Sequence, residues 1–184
     1  MKSCQENLTQ YAAYHRDRRN IATHFAGVPM IVFAIILALA TIAFPVGPVV
    51  ITVATATSIG LVAYYLVLDR VLGVTMAIVM FLFCAGASEI SARLSTGATL
   101  GLASVIFVVG WILQFLGHKY EGMKPAFFDD AKQLLIGPLF VCAEAFFMLG
   151  GRPHLRRYVE ERVGPTVARR DGAPLRSSGD PVTH

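Results

Sequence analysis

Charge is what this sequence has least of. Asp, Glu, Lys and Arg make up 15% of its 184 residues, against 55% apolar residues. A soluble globule of that length needs more charged surface. The charges are also unevenly spread: between Gly27 and Lys119 only Asp69, Arg70, Glu89 and Arg93 carry one. Cysteine is scarce too. Cys4, Cys84 and Cys142 form no metal-spaced pair, which argues against a zinc module or a disulfide framework, and they are expected to be inert, buried and reduced. A G-x-x-x-x-G-K loop and a G-x-S-x-G elbow are both missing, so neither a P-loop nucleotide site nor a serine-hydrolase nucleophile is expected. No basic helix face interleaved with aromatics occurs, so nucleic acid is not an expected partner despite the net charge of +4. In a membrane protein that balance points to the cytoplasmic leaflet instead. The first apolar run follows a polar segment too long for an n-region, so no signal peptide is expected.

What the chain does have is apolar runs separated by short polar islands, the pattern of a polytopic membrane protein. Residues Gln5 to about Arg18 are polar and aromatic and suit a short helix on the membrane surface. Asn20 is a candidate N-cap for a new helical start. Apolar runs follow at Val28–Phe44, Val49–Leu68, Val71–Ala87 and Leu100–Leu116. They are separated by a turn at Pro45–Pro48, a break at Asp69-Arg70 and a polar loop at Ser88–Thr99. A fifth run, Leu134–Leu149, is short and carries Glu144, a carboxylate that is costly in lipid. The expectation is an all-α integral membrane protein. It would have about four transmembrane helices, a surface N-terminal helix and a short in-plane or re-entrant fifth apolar helix. Residues 1–150 would form the membrane-embedded domain, and 151–184 a basic, partly disordered tail.

The positive-inside tendency places Arg16, Arg18 and Arg19 on the same cytoplasmic side as Arg152, Arg156 and Arg157, which requires an even number of crossings. That topology puts His118, at the end of the fourth run, on the side of His15 and His24. The arginine distribution alone thus gathers three of the five histidines at one membrane boundary. A lone interfacial histidine is as well explained as an anchor; three converging ones point to a metal. Glu121 lies three residues after His118 and shares its helical face, as does Gln114 one turn earlier. Imidazole with carboxylate is the ligand set of a mononuclear non-haem iron site. His15 and His24 are nine apart and would face opposite ways on one helix, so a break is expected between Arg18 and Asn20. Asn20 would then support His24 from behind. Glu144 needs a cation, a metal or a proton. The tight H-x-x-x-H clusters of membrane di-iron desaturases are absent.

Three stretches together resemble a known family. They are Tyr14-His15-x4-Asn20-x3-His24-x2-Gly27-x-Pro29, then Gln114-x2-Gly117-His118-x2-Glu121-x3-Pro125-Ala126, then Gly137-Pro138-x5-Glu144. They resemble the membrane 2-hydroxy fatty acid dioxygenases of yeast and bacteria, over about Tyr11 to Glu144. The resemblance implies an Fe2+-dependent α-oxidation, in which a long-chain 2-hydroxy fatty acid and dioxygen give an acid one carbon shorter. By motif it implies His15, His24 and His118 as metal ligands. Glu121 would be a further ligand or a supporting residue, with Asn20 and Glu144 also in the catalytic set. A substrate carboxylate at the interface could be held by Arg16, Arg18 or Arg19. The host membrane would be the bacterial inner membrane or the endoplasmic reticulum, with the site on the cytoplasmic face. The competing readings are a non-catalytic lipid-binding or scaffold protein, and a small transporter using Glu144.

Overall fold

A computed structural model describes residues 2–47 and 49–167. Among the described residues seven α-helices follow in order: α1 (Cys4–Ala12), α2 (Arg18–Ala40), α3 (Val53–Leu68), α4 (Arg70–Arg93), α5 (Thr96–Glu121), α6 (Gln133–Met148) and α7 (Pro153–Val163). A 3-10 turn, Ala126–Phe128, precedes α6. Helices α2, α4 and α5 are long and apolar enough to cross a membrane. The outer faces of α3, α4 and α5 expose Ile59, Val67, Ile78, Phe81, Val105 and Ile112, an apolar girdle that suits lipid rather than water. Counting α6 and α7 as one span bent by 110° raises the number to four. The second apolar run supplies only the 16 residues of α3, short of the about 20 a full crossing needs.

Several expected boundaries move. The loop expected over Ser88–Thr99 is mostly helix, because α4 runs on to Arg93 with Glu89 and Arg93 paired one turn apart. Ser95 then caps α5 by accepting from the Ala98 N–H, so only Leu94 and Ser95 connect the two helices. The first apolar run leaves the helix at Ala40 and forms an exposed antiparallel hairpin with the next. Strand β1 (Ala43–Val46) pairs with β2 (Val49–Thr52), where β-branched residues favour strand over helix. Helix α1 is not a free surface helix: it buries Leu8, Tyr11 and Ala12 against α6 and α7. The tail expected to be partly disordered begins as α7, held by buried Leu155 and Val159. Its remainder, from 168, lies outside the described residues.

Helices α2 and α5 pack most extensively among the described helices, and small residues make their close approach. A Cβ at Gly110 would meet Ile31 Cγ1 at 2.7 Å and Gly27 O at 3.0 Å, and one at Gly27 would meet Gly110 O at 2.9 Å. Such contacts leave room for nothing larger, which is how apolar helices pack without a hydrophobic driving force between them. This interface fixes the height of His24 on α2 against that of His118 on α5. The N-terminal segment, the Asp69 break, the end of α5 and α7 all gather at one end of the bundle. Asp69 pairs with Arg152, Tyr14 Oη donates to Asp129 at 2.9 Å, and Val167 N donates to Arg16 O at 2.9 Å.

Candidate metal centre

The break that lets His15 and His24 meet lies at Ala13–Asp17, earlier than the expected Arg18–Asn20. Asp17, not Asn20, is the N-cap of α2 and accepts from Arg19 N at 2.8 Å. Asn20 is therefore inside the first turn of α2, fully buried. The turn is held from outside by α5. Glu121 Oε2 accepts from Arg16 N at 2.9 Å, from Asp17 N at 2.7 Å and from Asn20 Nδ2 at 3.0 Å. These N–H groups, near the start of α2, have no intrahelical partner, and one carboxylate oxygen satisfies them together.

With the chain bent this way, the three imidazoles converge. One nitrogen from each of His15, His24 and His118 lies within 4.8 Å of the others, and all three residues are buried. His15 Nε2 and His24 Nε2 are 3.1 Å apart. His15 Nδ1 faces Tyr11 O at 2.7 Å, and His24 Nδ1 faces Asn20 O at 2.9 Å. A carbonyl only accepts, so both Nδ1 atoms carry the proton and both Nε2 atoms present lone pairs. Two lone pairs that close repel unless a cation lies between them, and about 3 Å is the separation of neighbouring nitrogens sharing one ion at ~2 Å bonds. The donor set thus fits a metal, with the outer hydrogen bonds of His15 and His24 already in place. Burial, and next His24, hold the His15 imidazole well below its ordinary pKa, so it is neutral. The Tyr11 ring stacks on it, with centroids 4.1 Å apart. Burial raises the Tyr11 phenol, which stays a neutral hydroxyl.

The imidazoles line a cavity of about 70 Å³. Its other walls are largely apolar, including Val28, Ile31, Trp111 and Leu134, but Tyr11, Gln114 and Gln133 also reach it. Gln114 shares the face of His118, as the spacing predicts. Tyr11 and Gln133 escaped the sequence reading, since each lies in a different element from the histidines and carries no motif.

The remaining expected site residues fall elsewhere. None of Arg16, Arg18 and Arg19 lines this cavity. Arg16 is buried and pairs with Glu144 at 3.3 Å, while its Nε donates to Ala12 O and His15 O, both at 2.9 Å. Arg19 bonds Asp17 and lies over the Tyr120 ring at 4.7 Å. Arg18 is exposed and borders a separate 450 Å³ pocket with Arg16 and Glu144. The cation that Glu144 needs is therefore Arg16, which accounts for a carboxylate in an apolar run without a metal or a transported proton. Glu144→Leu should cost about 3–5 kcal/mol by stranding a buried guanidinium. Arg16→Leu with Glu144→Leu should cost less than the sum of the single changes, measured by thermal unfolding in detergent.

The family profile described as 2-hydroxy-palmitic acid dioxygenase Mpo1-like matches residues 1–149. The 2-hydroxy-palmitic acid dioxygenase MPO1 of Saccharomyces cerevisiae is 28% identical over 158 residues, covering 85% of this chain and 87% of the yeast protein. No solved structure matches. The match takes in every residue of the imidazole cluster, its Glu121 clamp and the Arg16–Glu144 pair, and the chain belongs to the 2-hydroxy-palmitic acid dioxygenase Mpo1-like family.

Proposed function

We propose that this chain is an iron(II)-dependent dioxygenase of 2-hydroxy fatty acids, acting at the membrane boundary. The observation that carries the reading is the pair of Nε2 lone pairs 3.1 Å apart, with His118 beside them, in a chain of this family. His15, His24 and His118 would hold the ion. Bound there, Fe2+ would supply a centre with open positions that chelates the hydroxyl and carboxylate of the substrate and activates dioxygen. The overall change balances as 2-hydroxy acid plus dioxygen giving the acid one carbon shorter, carbon dioxide and water.

The chain's own residues prepare that chemistry. The Tyr11 and Asn20 carbonyls fix the tautomers of His15 and His24, and Glu121 holds the turn that carries His15. Glu121 is a positioning residue in this reading: its Oε2 is taken up by three N–H donors, and it is not among the gathered ligand nitrogens. Asn20 acts with it, through its side chain on Glu121 and its carbonyl on His24. Glu144 anchors Arg16, whose Nε grips the His15 carbonyl. Ile31, Trp111 and Leu134 give the cavity an apolar rim that suits an acyl chain arriving from lipid and keeps bulk water away. The lipid bilayer, bacterial or endoplasmic reticulum, would deliver the substrate on the cytoplasmic side.

Detergent-purified protein should carry close to one iron per chain, or regain it after chelation. It should convert 2-hydroxyhexadecanoate to the acid one carbon shorter only when loaded and aerated. Protein that binds the fatty acid but never takes up iron would favour a non-catalytic lipid-binding role instead.

A further inference from the structure

The cavity beside the imidazoles is also lined by a polar side chain that the metal reading leaves unused. Gln133 opens α6, is 1% exposed, and lines the same cavity as His15, His24 and His118. Its Nε2 faces Asp130 Oδ2 at 3.5 Å. A carboxylate only accepts, so this contact decides which end of the amide is nitrogen. The other end, Oε1, is then buried without a partner. Buried amide oxygens are rarely left so, because the missing bond is costly.

We propose that Gln133 recognises the 2-hydroxyl group of the substrate, through Oε1 accepting a hydrogen bond from it. The inference rests on the function proposed above and adds to it the residue that separates 2-hydroxy acids from unsubstituted ones. An amide oxygen needs a donor. An ionised carboxylate offers none, and an acyl chain offers none; of the groups on a 2-hydroxy acid, only the hydroxyl does. A 2-hydroxy acid supplies that donor with its own O–H, whereas an unsubstituted acid leaves Oε1 bare. Sites built to bond a hydroxyl reject the analogue lacking it for this reason. The arginines expected from sequence give no such discrimination: they lie outside the cavity, and they would bind the carboxylate common to both acids.

The test is a ratio of affinities. Iron-loaded protein is titrated without oxygen with 2-hydroxyhexadecanoate and with hexadecanoate, in competition with a fluorescent fatty acid. Wild type should prefer the hydroxy acid by about tenfold or more. Gln133→Met and Gln133→Leu should each lose about tenfold in that preference, through weaker binding of the hydroxy acid alone. A partly unfolded variant loses both ligands equally, so the ratio still reports on Gln133. Variants that keep the wild-type ratio would overturn the assignment and leave the dioxygenase reading intact, whereas an iron-loaded wild type without a preference would overturn the assignment and the chelation of the hydroxyl together. A wild type that shows no preference and takes up no iron would overturn both the assignment and the dioxygenase reading.

Discussion

A His118→Ala variant should lose its iron to background and stop turning over 2-hydroxy acids, while still purifying as a folded bundle. The imidazole set has three members, and removing one leaves His15 and His24 as a two-nitrogen site. Loss of an outer partner of a metal ligand already costs 10–100-fold in affinity or activity by the usual scale of about one to two decades. Loss of the ligand itself costs more. The fold should survive, because the packing of α2 on α5 rests on Gly27, Gly110 and Gly117 rather than on the His118 ring. Metal content, turnover and elution profile are read on one preparation. His154→Ala, an exposed change on α7, should leave all three unchanged. A His118→Ala protein with full iron and full activity would mean that the gathered imidazoles are not the reacting centre.

Glu121→Ala should be the most damaging change that touches no ligand. Its Oε2 is shared by Arg16 N, Asp17 N and Asn20 Nδ2, and the turn it holds follows directly on His15. Truncation strands those donors at about 1–3 kcal/mol for each that stays buried and unpaired. The turn then relaxes and His15 drifts from His24. Iron affinity should fall at least about tenfold, an outer-partner effect, with a lower unfolding midpoint in the same sample. Glu121→Gln keeps an acceptor oxygen in place and should retain most of the iron. Were Glu121 a ligand, the Gln variant would lose iron as His118→Ala does. Comparing the two variants by metal titration separates a clamp from a ligand.

Much of this protein was legible from where charge is absent. The long apolar runs mark α2, α4 and α5, helices long and apolar enough to cross a membrane, where backbone groups must be satisfied without water. The arginine asymmetry brought His118 to the side of His15 and His24 without reference to their chemistry. The three motif stretches carried the family. Less legible were the element ends. Pairing of Glu89 with Arg93 extends α4 through an apparently polar loop, and β-branched residues after Ile42 turn apolar sequence into a hairpin. In both places a local contact outweighs average polarity.

Sequence alone thus determined the class of the fold, the number of histidines available and the end of the bundle where they lie. These depend on composition and on spacing along one helix, which the chain carries locally. Only the tertiary structure decided what each polar residue does. Arg16, Arg18 and Arg19 are alike as sequence, yet one is buried against Glu144, one is exposed, and one bonds Asp17. Glu121 follows His118 at a ligand's spacing, yet its carboxylate is taken up by N–H groups more than a hundred residues away. Gln133 carries no motif and became visible only when α6 brought it to the imidazoles. Such roles are set by which partner reaches a buried group first, and a partner distant in sequence is supplied by packing, not by pattern.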